Sequence, residues 1–223
     1  MTYQVQFLRE LKAHGFLEIA MKTFTKGEII GISLILLVVF VATAFNLQIA
    51  IRRARDAQRR EDLGNIADSL EQFQADFGFF PPAVGGHILA CEGDNFKEIS
   101  LQLQGKKQFD RDLFFQGLRA CEWGTDSFKN LLNNMTYLAT IPGDSKYDEG
   151  ISYYYMSNSK RYQIYAYLEG ENDETGYNIG IASRNLPCAN YVCNFGKAYG
   201  ATPVDQSIED YENLLIEKTK VGE

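Results

Sequence analysis

Few side chains in this 223-residue chain are typed and spaced to do chemistry. Its two histidines, His14 and His87, lie far apart, and acid–base catalysis draws first on such groups. No Gly-x-Ser-x-Gly elbow, His-Glu-x-x-His helix or phosphate-cradling glycine loop is present. The chain therefore reads as a non-enzyme without a cofactor. Its four cysteines, Cys91, Cys121, Cys188 and Cys193, suit disulfides outside the cytoplasm. Nearness in sequence favours Cys91 with Cys121 and Cys188 with Cys193, although four cysteines permit three connectivities. Zinc is a rival for the thiols, but paired Cys-x-x-Cys knuckles are missing and only His87 neighbours a cysteine. Unpaired buried thiols are the third option. The acidic turn from Glu169 to Glu174, and Asp144, Asp148 and Glu149, offer carboxylates of the kind that hold calcium. They lack alternating-acid loop spacing, and a solvated turn is their commoner fate. Arg52, Arg53, Arg55, Arg59 and Arg60 form a basic cluster. Near an anionic lipid surface each is worth about 1 kcal/mol, and pairing with Asp56 and Glu61 competes for them. The Tyr-rich stretch after residue 150 suits either a sugar-binding surface or, more commonly, core packing. Glu28 stands alone at the lip of an apolar run, where a carboxylate must stay at the interface or find a partner.

The element that positions Glu28 and the arginines is a long helix. Ile29 to Ile51 is 23 residues without a charge or a proline. At the α-helical rise that run covers about 35 Å, enough to cross a bilayer core of about 30 Å. The helical signal continues beyond the arginines, with Leu63, Ile66, Leu70, Phe73 and Phe77 at alternating spacings of four and three. One helix from about Phe24 to Phe77 is expected, apolar all round in its first half and amphipathic in its second. Gly78 and the Pro81-Pro82 pair then end it.

The stretch from Phe24 to Pro82 resembles the N-terminal half of type IV pilins and of the pseudopilins of type II secretion systems. The resemblance rests on Phe24, Glu28 four places later, the apolar span, the ARDAQRR stem and the closing Phe-Pro-Pro. It implies an α+β, pilin-like fold, in which a helix with a transmembrane half and an amphipathic half packs against a small antiparallel sheet. It also implies a structural subunit, inserted in the inner membrane as a prepilin and polymerised through the apolar helix. Thr23 and Phe24 would mark processing and N-methylation, and Glu28 would meet a neighbour's amino terminus during assembly. The family's peptidase cuts after Gly, whereas Thr23 stands here. Implied partners are identical or related pilin subunits, the prepilin peptidase, the inner-membrane assembly platform and membrane lipid. The CANYVCNFG segment is similar to the C-terminal disulfide loop of many pilins, and some major pseudopilins hold calcium in such loops. A single-span, membrane-anchored extracytoplasmic binding or enzymatic domain that never polymerises is the alternative.

Charge divides the chain unevenly. Residues 1–60 hold 9 Lys/Arg against 4 Asp/Glu, and residues 61–223 hold 13 against 25. The acidic C-terminal part argues against a nucleic-acid-binding surface there. The five stem arginines alone would keep that flank cytoplasmic, whereas the resemblance places it outside, then on the pilus or cell surface. Residues 1–23 lack the continuous apolar core of a secretory signal. They read as a cytoplasmic leader, with Met21 as an alternative start. Five regions follow: leader 1–23, spanning helix 24–51, stem 52–78, a loop region 79–150 with short helices, and 151–223 with sheet, disulfide loop and tail. Helical turns are expected near Phe96–Leu103 and Asp112–Leu118, and a helix over Ser127–Leu138. Strands are expected over Ile151–Met156, Tyr162–Leu168 and Tyr177–Ala182, with one face of the second toward water. The charged segment Asp205–Lys220 reads as a surface helix or tail.

Overall fold

The computed structural model describes residues 25–170 and 176–221. The leader, Thr23, Phe24 and the tip of the acidic turn lie outside the described residues. Helix α1 runs Lys26–Phe77. Contacts divide the chain after Ile51, and a C-terminal unit starts at Arg52. Within the N-terminal unit the apolar side chains of α1, Ile30, Leu34, Leu37, Phe40 and Phe45 among them, are exposed. This part of the helix is long and apolar enough to cross a membrane.

In the C-terminal unit the stem carries the stripe that the spacing predicts. Leu63, Ile66, Leu70 and Phe73 are buried, because residues three and four apart share one helix face. The stripe starts two turns before its first apolar member, since Asp56 and Arg59 are equally buried. Gly78 takes φ +80° immediately after the helix, a left-handed cap that costs glycine little. Phe73 then anchors an aromatic cluster, stacking on Phe77 at 4.4 Å and Phe128 at 5.6 Å and meeting Tyr137 edge-on at 6.1 Å.

Residues 79–150 hold more regular structure than their composition suggests. Strands β1 (Ala83–Val84), β2 (His87–Glu92) and β3 (Leu118–Ala120) form an antiparallel sheet in the order β1-β2-β3. Between β2 and β3 lie α2 (Phe96–Gln104) and α3 (Arg111–Gln116), where helical turns were expected. The expected helix over Ser127–Leu138 is instead a hairpin of β4 (Phe128–Lys129) and β5 (Thr136–Leu138). Asparagine chemistry decides this. The Asn130 and Asn133 carboxamides accept from the backbone of Leu132 (3.0 Å) and Met135 (2.9 Å), and Asn134 takes φ +61°. Such local side-chain bonds compete with helical ones, while the hairpin buries Phe128 and Tyr137.

The second sheet follows the predicted hairpin. Strands β6 (Tyr154–Ser157) and β7 (Tyr162–Ala166) pair antiparallel. Residues 177–182, expected as the third strand, begin α4 (Ile179–Ser183), because Asn178 caps its start by accepting from Gly180 N at 2.8 Å. A small hairpin of β8 (Pro187–Cys188) and β9 (Tyr191–Val192) comes next. Strand β10 (Phe195–Ala198) then completes the sheet in the order β10-β7-β6. No face of β7 meets water, contrary to expectation, for all five residues are buried. Ile164 belongs to the main core, while Gln163 Nε2 donates to Gln206 O (2.8 Å) and the Tyr165 hydroxyl to Val204 O (3.0 Å). The chain after β10 thus covers the second face. Helix α5 (Ile208–Val221) is the charged surface helix, its first turn closed by Ser207 and Asp210.

Candidate functional site

Glu28 sits in the first turn of α1 as half of a capping box. Its Oε2 accepts from the Thr25 backbone N–H at 2.7 Å and from the Thr25 hydroxyl at 2.9 Å. The Glu28 N–H donates back to Thr25 Oγ1 at 3.4 Å. The box satisfies amide donors that a helix start leaves open. It also ties the carboxylate to Thr25, the residue that follows the expected mature start in the sequence. Farther along, the Thr43 hydroxyl donates to Val39 O, so this polar group leaves no open donor on the apolar surface.

The stem arginines are organised differently from a free basic cluster. Arg59, 1% exposed at its side chain, grips Asp144 with two hydrogen bonds, Nε to Oδ2 at 2.7 Å and Nη2 to Oδ1 at 3.0 Å. Its Nη1 reaches Asp56 Oδ1 at 2.7 Å and Glu169 Oε1 at 2.9 Å. Arg55 holds Glu169 in a second fork, at 2.7 and 2.6 Å. Asp56 is completed by the backbone N–H groups of Glu169 (2.9 Å) and Gly170 (3.0 Å). Lys146 Nζ lies 3.6 Å from Glu169. Three cations thus face three carboxylates, with the two-pronged geometry that makes Arg–carboxylate pairs strong and directional. The Arg55 guanidinium, with Arg59 behind it, holds the Glu169 carboxyl down at about 2.

This network revises several sequence expectations. Arg55 and Arg59 are spent on carboxylates of the C-terminal unit rather than offered to lipid headgroups. Asp144 and Glu169, counted as calcium candidates, are ion-paired. The cysteines form Cys91–Cys121 and Cys188–Cys193 disulfides, the pairing that sequence proximity favours. A zinc site on those thiols is thereby excluded. Among the described residues no group of three or more His, Cys, Asp or Glu side chains is placed to hold a metal ion. His87 lies 2.9 Å from Cys121 O through Nδ1 and stacks on Trp123. Four of the strand tyrosines, Tyr153, Tyr155, Tyr162 and Tyr165, are core, whereas Tyr154 and Tyr167 are half-buried. The sequence reading missed that Asp62 is buried as well, taking the Tyr153 hydroxyl at 2.6 Å and Gln58 Nε2 at 2.8 Å. Burial, reinforced by Asp62, pushes the Tyr153 hydroxyl well above the ordinary phenol range. One signal for these groups was in the chain: Asp56, Arg59 and Asp62 all fall on or beside the stripe that Leu63 and Ile66 continue.

No family model matches the chain, and no curated protein or solved structure matches it either.

Proposed function

We propose that this protein is a structural subunit of a type IV pilus-like or pseudopilus filament, held in the inner membrane by α1 before assembly. The observation that carries the reading is the exposed, charge-free length of α1 with a capped carboxylate in its first turn. Such a surface is stable in hydrocarbon, or against like helices of neighbouring subunits. Two further features support it. The disulfides suit an extracytoplasmic C-terminal unit. Arg9, Lys12, Lys22 and Lys26 before the span partly balance the five stem arginines, which alone would favour the opposite orientation. The protein acts by packing rather than by catalysis, and its partners are copies of itself or related subunits, the processing peptidase and the assembly platform.

Assembly is the step at which Glu28 exchanges its bonds to Thr25 for the charged amino terminus of a neighbour's Phe24. A carboxylate buried in a filament core is tolerable only when paired in this way. Two variants separate capping from charge pairing. Glu28→Gln keeps an acceptor for the capping box, which admits Gln, and Glu28→Ala removes both roles. Both are expected to insert in the membrane with intact disulfides and to be lost from sheared surface filaments. N-terminal sequencing of the wild-type chain in those filaments is expected to begin at N-methylated Phe24. Normal filament yield from Glu28→Gln, or a chain that stays in membranes with its leader attached, would favour the anchored, non-polymerising domain.

A further inference from the structure

The β4–β5 hairpin carries three asparagines, and their side chains do not share one fate. The carboxamides of Asn130 and Asn133 are committed to backbone N–H groups within the turn, and Asn130 also donates to Asp76 Oδ2 at 3.0 Å. Asn134 is engaged through its backbone, its N–H donating to Asn130 O at 2.8 Å. Its exposed carboxamide makes no hydrogen bond among the described residues. Met135 and then Thr136 follow, so Asn134 begins the only Asn-x-Ser/Thr triplet in the chain. Thr136 opens β5 on its exposed side, with Tyr137 turned into the core. The same hairpin leaves Leu132 and Met135 47% and 45% exposed, a partly uncovered apolar tip among the described residues.

We propose that Asn134 is an N-glycosylation site, with the hairpin as its display. The triplet is the acceptor pattern for this modification, which belongs on surface loops of exported chains. A free carboxamide at a turn tip is the group a transferase must reach, and the two neighbouring asparagines are already occupied. The donor is a saccharide linked through phosphate to an isoprenoid lipid. The Asn134 amide nitrogen forms a bond to the anomeric carbon, the bond from that carbon to the lipid-phosphate oxygen breaks, and the displaced amide proton passes to a base of the transferase. The attached sugar then shields Leu132 and Met135 from solvent. This inference rests on the extracytoplasmic placement proposed above.

The test is the mass of the tryptic segment 130–146 from full-length protein isolated from its native source with thiols blocked. A saccharide increment mapped to Asn134 is expected, lost in Asn134→Gln and in Thr136→Ala and kept in Thr136→Ser. An unmodified segment alongside two intact disulfides overturns the glycosylation site while leaving the filament subunit standing. An unmodified segment in a chain whose four cysteines are free thiols overturns both. A saccharide that persists on Asn134 in Thr136→Ala overturns the assignment to the triplet.

Discussion

Arg59 occupies a position on the stem where its stripe calls for an apolar side chain. It is tolerated because every prong of its guanidinium ends on a carboxylate, from Asp56, Asp144 or Glu169. Removing one member of such a set strands the others, at a cost of about 3–5 kcal/mol. Arg59→Met is therefore expected to lower the unfolding free energy of the C-terminal unit by that order, read from the urea midpoint and slope. Acid should act on the same set. Glu169 ionises more easily folded than unfolded, so its stabilisation is complete above its ordinary value of about 4.5 and drains away as pH falls toward about 2. Wild-type protein should lose urea resistance across that window, and Glu169→Gln should show a shallower loss. A flat wild-type profile there would mean that the forks seen on Glu169 carry little of the stability. Half of this site was legible in the chain. The three-and-four spacing puts Asp56 and Arg59 on the core face, yet Asp144 and Glu169 lie 85 and 110 residues beyond Arg59, with no local pattern to point at them.

Among the elements, those legible in advance were the ones whose own residues decide them. The stem, the β6–β7 hairpin and the two short helices before β3 each follow from spacing or turn chemistry within a few residues. Misreadings came where tertiary packing or a single asparagine overrode the pattern. Ser127–Leu138 has helical spacing, but the asparagine turns and the burial of Phe128 and Tyr137 select a hairpin. Strand β7 alternates as though half-wetted, but the chain after β10 returns to cover it. The disulfides differ as elements too. Cys91–Cys121 closes a separation of 30 residues and Cys188–Cys193 one of 5. Loop-closure entropy ranks them at about 3–4 and about 2 kcal/mol. Replacing Cys91 and Cys121 by alanine should destabilise the C-terminal unit more than replacing Cys188 and Cys193, measured by urea unfolding of each double variant. The reverse order would show that the short clip stiffens the folded state rather than the unfolded chain.

For the whole molecule, the two units ask for different solvents. Apolar side chains from Ile29 to Ile51 stand exposed on α1, whereas residues 61–223 carry 13 basic against 25 acidic groups and bury their own core. The full chain is expected in the membrane fraction after alkaline carbonate washing, and a chain begun at Arg52 in the soluble fraction with both disulfides formed. A soluble full-length chain would remove the basis for a membrane-stored subunit. The ion network also places the folding of this molecule in time. A ribosome adds about 5–20 residues each second, so roughly 5–20 s separate the synthesis of Arg59 from that of Glu169, 110 residues later. Until Asp144 is made, the stem holds this cation with only Asp56 to answer it, and Glu169 follows later still. Its final packing waits on residues made after three quarters of the chain is complete, and the moment of closure is set by the arrival of Glu169 rather than by the helix itself.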